Sequence, residues 1–376
     1  MGQLGTPDWA VAPGPGGRVI LDLLLRHGAV SQAELSRRLE LSQPSVARLV
    51  AKLTKAHVVG LSARPAAGPG NPSMMVALAP DYAYGLGIGV SGDAVSIAIV
   101  DLTGHARASA ILPMRNLTRA YVLERVIALR GDMIAKAGID ETRIVGAGVG
   151  FAGFFAGAPL RFNPPALLTD WVDADIAATF AEALGMPVVC DNDATTAAIA
   201  ESRLGVGRQC ANFAYCHLTN GFGGAWIFDG RPVRGALGNA GDFGAVWWLL
   251  DDGYPNLELL RTLVATRGNA FETVEEMLLS ICATTAGVED WLKAAEQPFA
   301  KLCFLLGHIV APEKVVIGGR LPHWLAVKLS ARICMPTSPS RHARPFPLPE
   351  IVAREVEGDA VAIGAGLMPL QLLFFE

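Results

Sequence analysis

The stretch Ser31-Gln32-Ala33-Glu34-Leu35-Ser36-Arg37-Arg38-Leu39-Glu40-Leu41-Ser42-Gln43-Pro44-Ser45-Val46-Ala47-Arg48-Leu49-Val50-Ala51-Lys52-Leu53 carries two helix starts in close succession. Ser31 and Glu34 spell a capping box, in which the hydroxyl satisfies an orphan amide of the first turn while Glu34 reaches back. The helix it opens runs through Leu35 and Leu39. Leu41 turns the chain, and Ser42 stands where a second N-cap belongs, with Pro44 in the turn behind it. In the second helix Val46, Leu49, Val50 and Leu53 fall on the i, i+3, i+4, i+7 spacing of one buried stripe. Gln43, Pro44, Ser45, Arg48 and Lys52 are left outward, with amide, hydroxyl and cationic groups suited to base edges and phosphates. Two short helices about a turn have the dimensions of a DNA groove reader. The plain alternative is a helical packing unit whose Arg48 and Lys52 only meet water.

The flanks favour the reader. Gly17 to His27 makes an apolar helix suited to pack behind the pair. Beyond Leu53, His57-Val58-Val59-Gly60 and Met74–Leu78 bracket a Pro/Gly-rich stretch from Pro65 to Pro72, so two short strands around a loop form a wing. Residues 17–72 hold eight Lys/Arg against three Asp/Glu, whereas residues 73–376 hold 23 against 31. A basic module on an acidic body is the electrostatic footprint of a nucleic-acid reader joined to something else. Double-stranded DNA is the expected partner.

At 376 residues and 51% hydrophobic content the chain exceeds one ordinary domain. Its opening residues have no basic region followed by an apolar run, so no signal peptide is expected. Val145–Phe155 and Ala360–Phe375 are broken by Gly or Pro and fall short of a ~20-residue membrane span. A soluble, cytoplasmic chain with no membrane partner is the expectation. The six cysteines (Cys190, Cys210, Cys216, Cys282, Cys303, Cys334) lack metal-ligand spacing, and free, buried thiols are expected.

From about residue 82 strands and helices alternate. Tyr84–Val90, Ala94–Leu102 and Ala106–Pro113 read as β-runs, followed by a helix at Arg119–Ala137 and a strand at Ile144–Gly150. A helix at Asp175–Leu184, a strand at Pro187–Cys190 and a helix at Asp193–Leu204 complete this series. The order then restarts: β-runs at Ala211–Leu218, Gly223–Phe228 and Pro232–Gly235, then helices at Leu257–Thr266, Phe271–Cys282 and Glu289–Val310. A strand at Lys314–Ile317, a helix at Trp324–Cys334, a strand at Ile351–Glu355 and a helix at Ala360–Leu373 finish the chain. Two tandem α/β units predict two lobes with a cleft between them. The domains expected are a tail (1–15), a winged helix-turn-helix (16–80), a first lobe (81–200) and a second lobe (201–376), whose last helix returns to the first lobe.

Four short motifs supply the chemistry. Cys190-Asp191-Asn192-Asp193-Ala194 places an Asn and two carboxylates where a strand enters a helix. Gly221-Phe222-Gly223-Gly224 is a glycine-rich turn, Gly235 to Gly244 is a Gly/Ala-rich loop carrying Asp242, and Val315-Val316-Ile317-Gly318-Gly319 ends a strand in paired glycines. Carboxylates and amides fixed on rigid backbone suit the vicinal hydroxyls of a sugar; N-capping of the next helix is the simpler role for Asp191 and Asp193. In this order, behind a winged helix, the series resembles the ROK family of repressors, open reading frames and sugar kinases over residues 16–370. The resemblance implies a two-lobed actin-like, hexokinase-like body of the sugar-kinase type. It puts Asp193 at the general-base position of the family's kinases and Asn192 at a sugar contact. It also places Gly153, Asn163 and Asp242 around the sugar, Asn163 serving either as a hydroxyl partner or as a turn cap.

Departures from the pattern separate regulator from kinase. The family's first phosphate loop, Asp-x-Gly-Gly-Thr, is here Gly87-Ile88-Gly89-Val90-Ser91-Gly92-Asp93, and the second, Gly-Thr-Gly-x-Gly, is Thr219-Asn220-Gly221-Phe222-Gly223. Where the family has Glu-x-Gly-His and a cysteine-rich zinc loop, this chain has Asp242-Phe243-Gly244-Ala245 and then Val246 to Gly253 without Cys or His. A structural zinc needs four ligands, so neither zinc nor ATP is expected as a cofactor. In the wing, Gly70-Asn71-Pro72 lacks the family's arginine; Asn71 and Arg64 are the candidates for the minor groove. The resemblance thus implies a DNA-binding regulator, a repressor, with no enzymatic activity. Its effector is a small carbohydrate or sugar phosphate, and its assembly a homodimer or homotetramer using Glu289–Val310 unless that stripe is core. A sugar kinase with an appended DNA-binding domain, or a regulator gated by a protein partner, are the rival readings.

Overall fold

The computed structural model describes residues 7–63, 74–156, 161–250, 255–336 and 344–375. Its first unit comprises α1 (Gly14–His27), β1 (Val30–Ser31), α2 (Gln32–Arg38), α3 (Gln43–Lys55), β2 (Val59–Ala63) and β3 (Met74–Leu78), with the strands antiparallel in the order β1-β3-β2. Both serine caps form: Ser31 Oγ accepts from the Glu34 amide at 3.2 Å and Ser42 Oγ from the Ser45 amide at 3.3 Å. The capping box stays half-made, because the Glu34 carboxylate turns along the helix to Arg37 and Arg38 instead of back to Ser31. Two cations within a turn outcompete one amide. Val46, Val50 and Leu53 are buried against Ile20, Leu21 and Leu24 of α1, while Leu49 is half-buried. Arg64, Asn71 and the loop that carries them lie outside the described residues.

The body is a doubled unit. Its first half contains β4 (Tyr84–Val90), β5 (Ala94–Asp101), β6 (Ala106–Pro113), α4 (Arg119–Ala137), β7 (Ile144–Phe151), β8 (Phe154–Ala156), β9 (Arg161–Asn163), α5 (Ile176–Leu184), β10 (Val188–Asn192) and α6 (Asp193–Leu204). The second half contains β11 (Phe213–Leu218), β12 (Phe222–Phe228), β13 (Arg231–Pro232), α7 (Trp247–Leu250), α8 (Leu257–Thr266), α9 (Val274–Ser280) and α10 (Val288–Ile309). It continues through β14 (Lys314–Gly319), α11 (His323–Arg332), β15 (Glu350–Ala353) and α12 (Ala360–Leu370). The large sheets run β10-β7-β4-β5-β6 and β13-β12-β11-β14-β15, each an antiparallel meander followed by two parallel strands. One α/β topology therefore occurs twice. The β8–β9 hairpin was not expected; its strands have three residues each, and an edge-to-face pair, Phe155 on Phe162 at 4.9 Å, packs across them.

Helices α6 and α12 lie between the two sheets, and α12 packs on α6 and across β4, β5 and β7. The approach is set by glycine. A Cβ added at Gly87 would stand 1.8 Å from the Ala362 carbonyl oxygen, and one at Gly148 2.0 Å from that of Ala365. The chain then ends in a turn, Gln371–Phe375, whose Leu373, Phe374 and Phe375 join Leu370 in the core of the winged helix. Phe374 meets Tyr82 edge-on at 5.7 Å.

Packing decides one open alternative and corrects one expectation. The apolar stripe of α10, including Trp291, Phe299 and Leu306, is buried in the second lobe's core, so it is not a free dimer surface. Of the cysteines, Cys210, Cys216 and Cys303 are buried and Cys190 half-buried, but Cys282 and Cys334 are exposed, since both sit just beyond helix ends.

Candidate DNA-reading face and effector cleft

On α3, Gln43, Pro44, Arg48 and Lys52 are exposed. Ser45 is half-buried, and its hydroxyl lies 2.9 Å from that of Ser42, so it is shared with the cap. Behind this face α1 is tied to the body by polar contacts. Arg203 of α6 pairs with Asp22, Arg18 Nη1 donates to the Leu372 carbonyl at 3.1 Å, and Arg208 Nε donates to the Arg26 carbonyl at 2.6 Å.

The predicted effector residues gather where β10 passes into α6. Asn192, rather than either neighbouring Asp, is the N-cap: its Oδ1 accepts from the Thr195 amide at 3.0 Å. Its Nδ2 donates to the Gly153 carbonyl at 2.7 Å, leaving one N–H and one lone pair for anything else. Gly153, at φ 136°, sits so close to the end of β9 that an added Cβ would lie 2.5 Å from the Asn163 carbonyl oxygen. Asp242 is exposed at the start of the glycine-rich loop's last turn and accepts from the Gly244 amide at 3.2 Å. Asp191 turns to the opposite side and pairs with Arg234.

Asp193 is buried, and burial pushes its carboxyl up to about 6, with the Asp242 and Asp359 charges adding to the effect. His217 Nε2 stands 3.7 Å from Asp193 Oδ2, and burial holds the ring down to about 4, so it is neutral at physiological pH. Neither ring nitrogen has a hydrogen-bond partner among the described residues. The two side chains share a space of about 20 Å³ with Ser96, Thr219, Arg320 and Asp359. That is room for about one water, not for a sugar. Asp359 accepts from Ser96 Oγ at 3.0 Å and caps α12 through the Ala362 amide at 2.8 Å. Sequence reasoning passed over His217, Arg320 and Asp359. The paired glycines before Arg320 were the one available signal.

The β4–β5 turn, in the position of the family's first phosphate loop, presents a carboxylate. Asp93 pairs with the buried Arg320, which leaves β14 of the other lobe and also grips Glu275. Where the zinc loop would stand, Phe243 and Trp247 are buried, and Trp247 packs edge-on against Phe222 (5.0 Å) and Phe299 (5.4 Å).

Residues 85–251 match the model of the ROK family, and residues 18–59 match a winged helix-turn-helix DNA-binding model. The chain carries a ROK domain behind a winged helix-turn-helix. Among relatives, the uncharacterized protein y4fQ of Sinorhizobium fredii (strain NBRC 101917 / NGR234) is 27% identical over 362 residues, 95% of this chain and 91% of that protein. The xylose repressor of Bacillus spizizenii is 22% identical over 228 residues, 60% of this chain and 59% of its own length. Solved structures agree on the fold. A ROK family transcriptional regulator, a homolog of the E. coli MLC protein, aligns with TM-score 0.58 at 18% identity over 96% of this chain and 97% of that one. A ROK family glucokinase from Streptomyces griseus, solved with glucose and AMPPNP, aligns with TM-score 0.59 at 19% identity over 75% and 97%. The ROK architecture is thus shared by regulators and kinases. Among the described residues no helix is long and apolar enough to cross a membrane.

Proposed function

We propose that this ROK protein is a DNA-binding repressor of carbohydrate-related genes, with a body that senses a sugar or sugar phosphate and no longer transfers phosphate. The observation that carries the reading is the course of α12. Its N-cap Asp359 borders the space around Asp193, and the residues at its far end lie in the core of the winged helix. One rigid element spans from the cleft to the reading head. A sugar held by Asn192, Asp193, Gly153, Asn163 and Asp242 requires the lobes to part from the arrangement described, which would move α12's surroundings and with them the spacing of paired heads in a dimer or tetramer. Ligand binding then selects among closure states, and DNA half-sites one helical turn apart read the difference.

Loss of kinase activity is supported at the phosphate end. Phosphoryl transfer depends on backbone amides and cations around the phosphates, whereas here Asp93 adds negative charge and Arg320 is already held between two carboxylates. The donor set at Phe243–Trp247 gives zinc no ligands, and no cofactor is assigned. One observation favours the kinase alternative: the Asp193 carboxyl at about 6 suits a general base. ATP-dependent sugar phosphorylation abolished by Asp193→Asn would establish it.

The reading is tested by binding of the full chain to DNA upstream of its own gene, at two salt concentrations, against a scrambled duplex. Selective binding that weakens with salt is expected, and Arg48→Ala weakens it by about tenfold. Unchanged affinity and selectivity in that variant would sink the reading-head assignment.

A further inference from the structure

A cavity of about 840 Å³ opens at the free edge of β10, lined by Pro187 to Asp191 and stopping short of Asn192 and Asp193. The Pro187 carbonyl accepts from Ala147 at the start of the β7 pairing (2.9 Å). By the two-residue alternation of a strand, the amide groups of Val188 and Cys190 then face the cavity. Ala178 and Ala181 of α5 form one wall and the Phe155–Phe162 ring pair another, with Met368 and Leu372 beyond the end of the strand.

Of the charged groups lining the cavity, Arg234 pairs with Asp191, Arg203 with Asp22 and Arg161 with Asp173 at 3.9 Å, while the Asp175 carboxylate caps α5 by accepting from the Ala178 amide at 2.9 Å. A ligand carrying net charge would have to draw one of these groups from its ion pair, or Asp175 from its cap, and an uncharged one would not. The volume lies in the range of small-molecule sites, which are mostly apolar with a few placed polar groups.

The far side of the lining touches the DNA-binding unit. Arg203 pairs with Asp22, the Leu372 carbonyl holds Arg18, and Gly230 lies so near Arg26 that an added Cβ would stand 2.8 Å from its Nη2. All three partners belong to α1. We propose that this cavity is a second small-molecule site, separate from the cleft at Asp193. It takes an uncharged, largely apolar molecule with hydrogen-bonding groups at one end, and its occupancy alters how α1 is seated. The consequence for DNA rests on the regulator reading; the binding does not.

The test uses the full chain titrated with N-phenyl-1-naphthylamine, an uncharged fluorophore that brightens in apolar surroundings. A saturable one-to-one rise is expected, weakened by about tenfold or more in Ala181→Trp and in Ala178→Trp. Ala178 is exposed and Ala181 half-buried, so each variant fills the cavity from a helix surface, and thermal melts check that each is folded. Hydrogen exchange in Gly14–His27 should change at saturation. No saturable rise, or one that both variants retain, overturns the site. Saturation without any change in α1 overturns the coupling. Neither readout contains DNA, so a failure here is distinct from a failure in the operator assay.

Discussion

The two sheets of the ROK body share one strand order but meet the helices between them with different surfaces. The first presents backbone: Gly85 and Gly87 on β4 and Gly148 on β7 let α12 approach until carbonyl oxygens fill the places where side chains would be. The second presents side chains, with Phe213, Tyr215 and Val316 packed in the same central core. The first lobe and α12 are therefore seated backbone to backbone, and the end of α12 carries that unit into the winged helix. The second lobe joins through side chains and through the Arg320 latch. Side-chain contacts can repack by rotamer, whereas a helix seated on glycine has no such freedom. The reading head accordingly belongs mechanically with the first lobe.

The sharpest way to break this contrast is a methyl group. Gly87→Ala sets a Cβ against the Ala362 carbonyl and should cost on the order of 4 kcal/mol or abolish soluble folding. Gly223→Ala in the second sheet meets only the Ala194 methyl at 3.4 Å and should stay within about 1 kcal/mol. Equal melting shifts for the two would erase the distinction. Next in size is the latch. Arg320→Met leaves Asp93 and Glu275 without their cation in a buried setting and should cost about 3 kcal/mol in denaturant unfolding. Adding Asp93→Asn and Glu275→Gln should restore much of that loss; if it does not, the latch is not the relevant interaction.

An effect smaller than the latch's lies at Asp193 and depends on pH. Its folded carboxyl, at about 6, lies above the ordinary 3.8, so its favourable contribution is complete below that value and lost as pH rises through 6. Asp193→Asn removes this dependence. Between pH 4 and pH 8 the variant should gain about 2 kcal/mol relative to the parent chain. His217, held down to about 4, works in the opposite sense, losing stability as pH falls from 6.5, and taking the difference between the two chains removes its share. A pH-independent difference would mean that burial does not raise the Asp193 carboxyl.

Much of this was legible in the residues because it is local. Helices 119–137, 193–204 and 257–266 and strands 84–90 and 106–113 lie where apolar periodicity and turn residues place them. The two serine caps follow from single side chains one turn from their amides. The doubled strand order could be read because each strand carries its own turn signals. The Asn192–Asp193 junction was visible too, although the roles within it were not: the cap fell to Asn192, and Asp191 went to Arg234 on a different loop.

What lay beyond sequence reasoning depends on approach between distant segments. Arg320 and Asp93 are 227 residues apart, and nothing around either one names the other. His217 reads as one polar residue in an apolar strand until burial places it beside Asp193. The cavity at β10 exists only because α5, the β8–β9 hairpin and the end of α12 stop short of one another, a volume no single segment encodes. Capping, periodicity and charge act over a turn or two, so the sequence by itself determined the helix-turn-helix and the repeated α/β order. Which carboxylate is shifted upward, which loop is latched and what joins the cleft to the reading head were decided by the tertiary structure, because burial and ion pairing are properties of assembled surfaces.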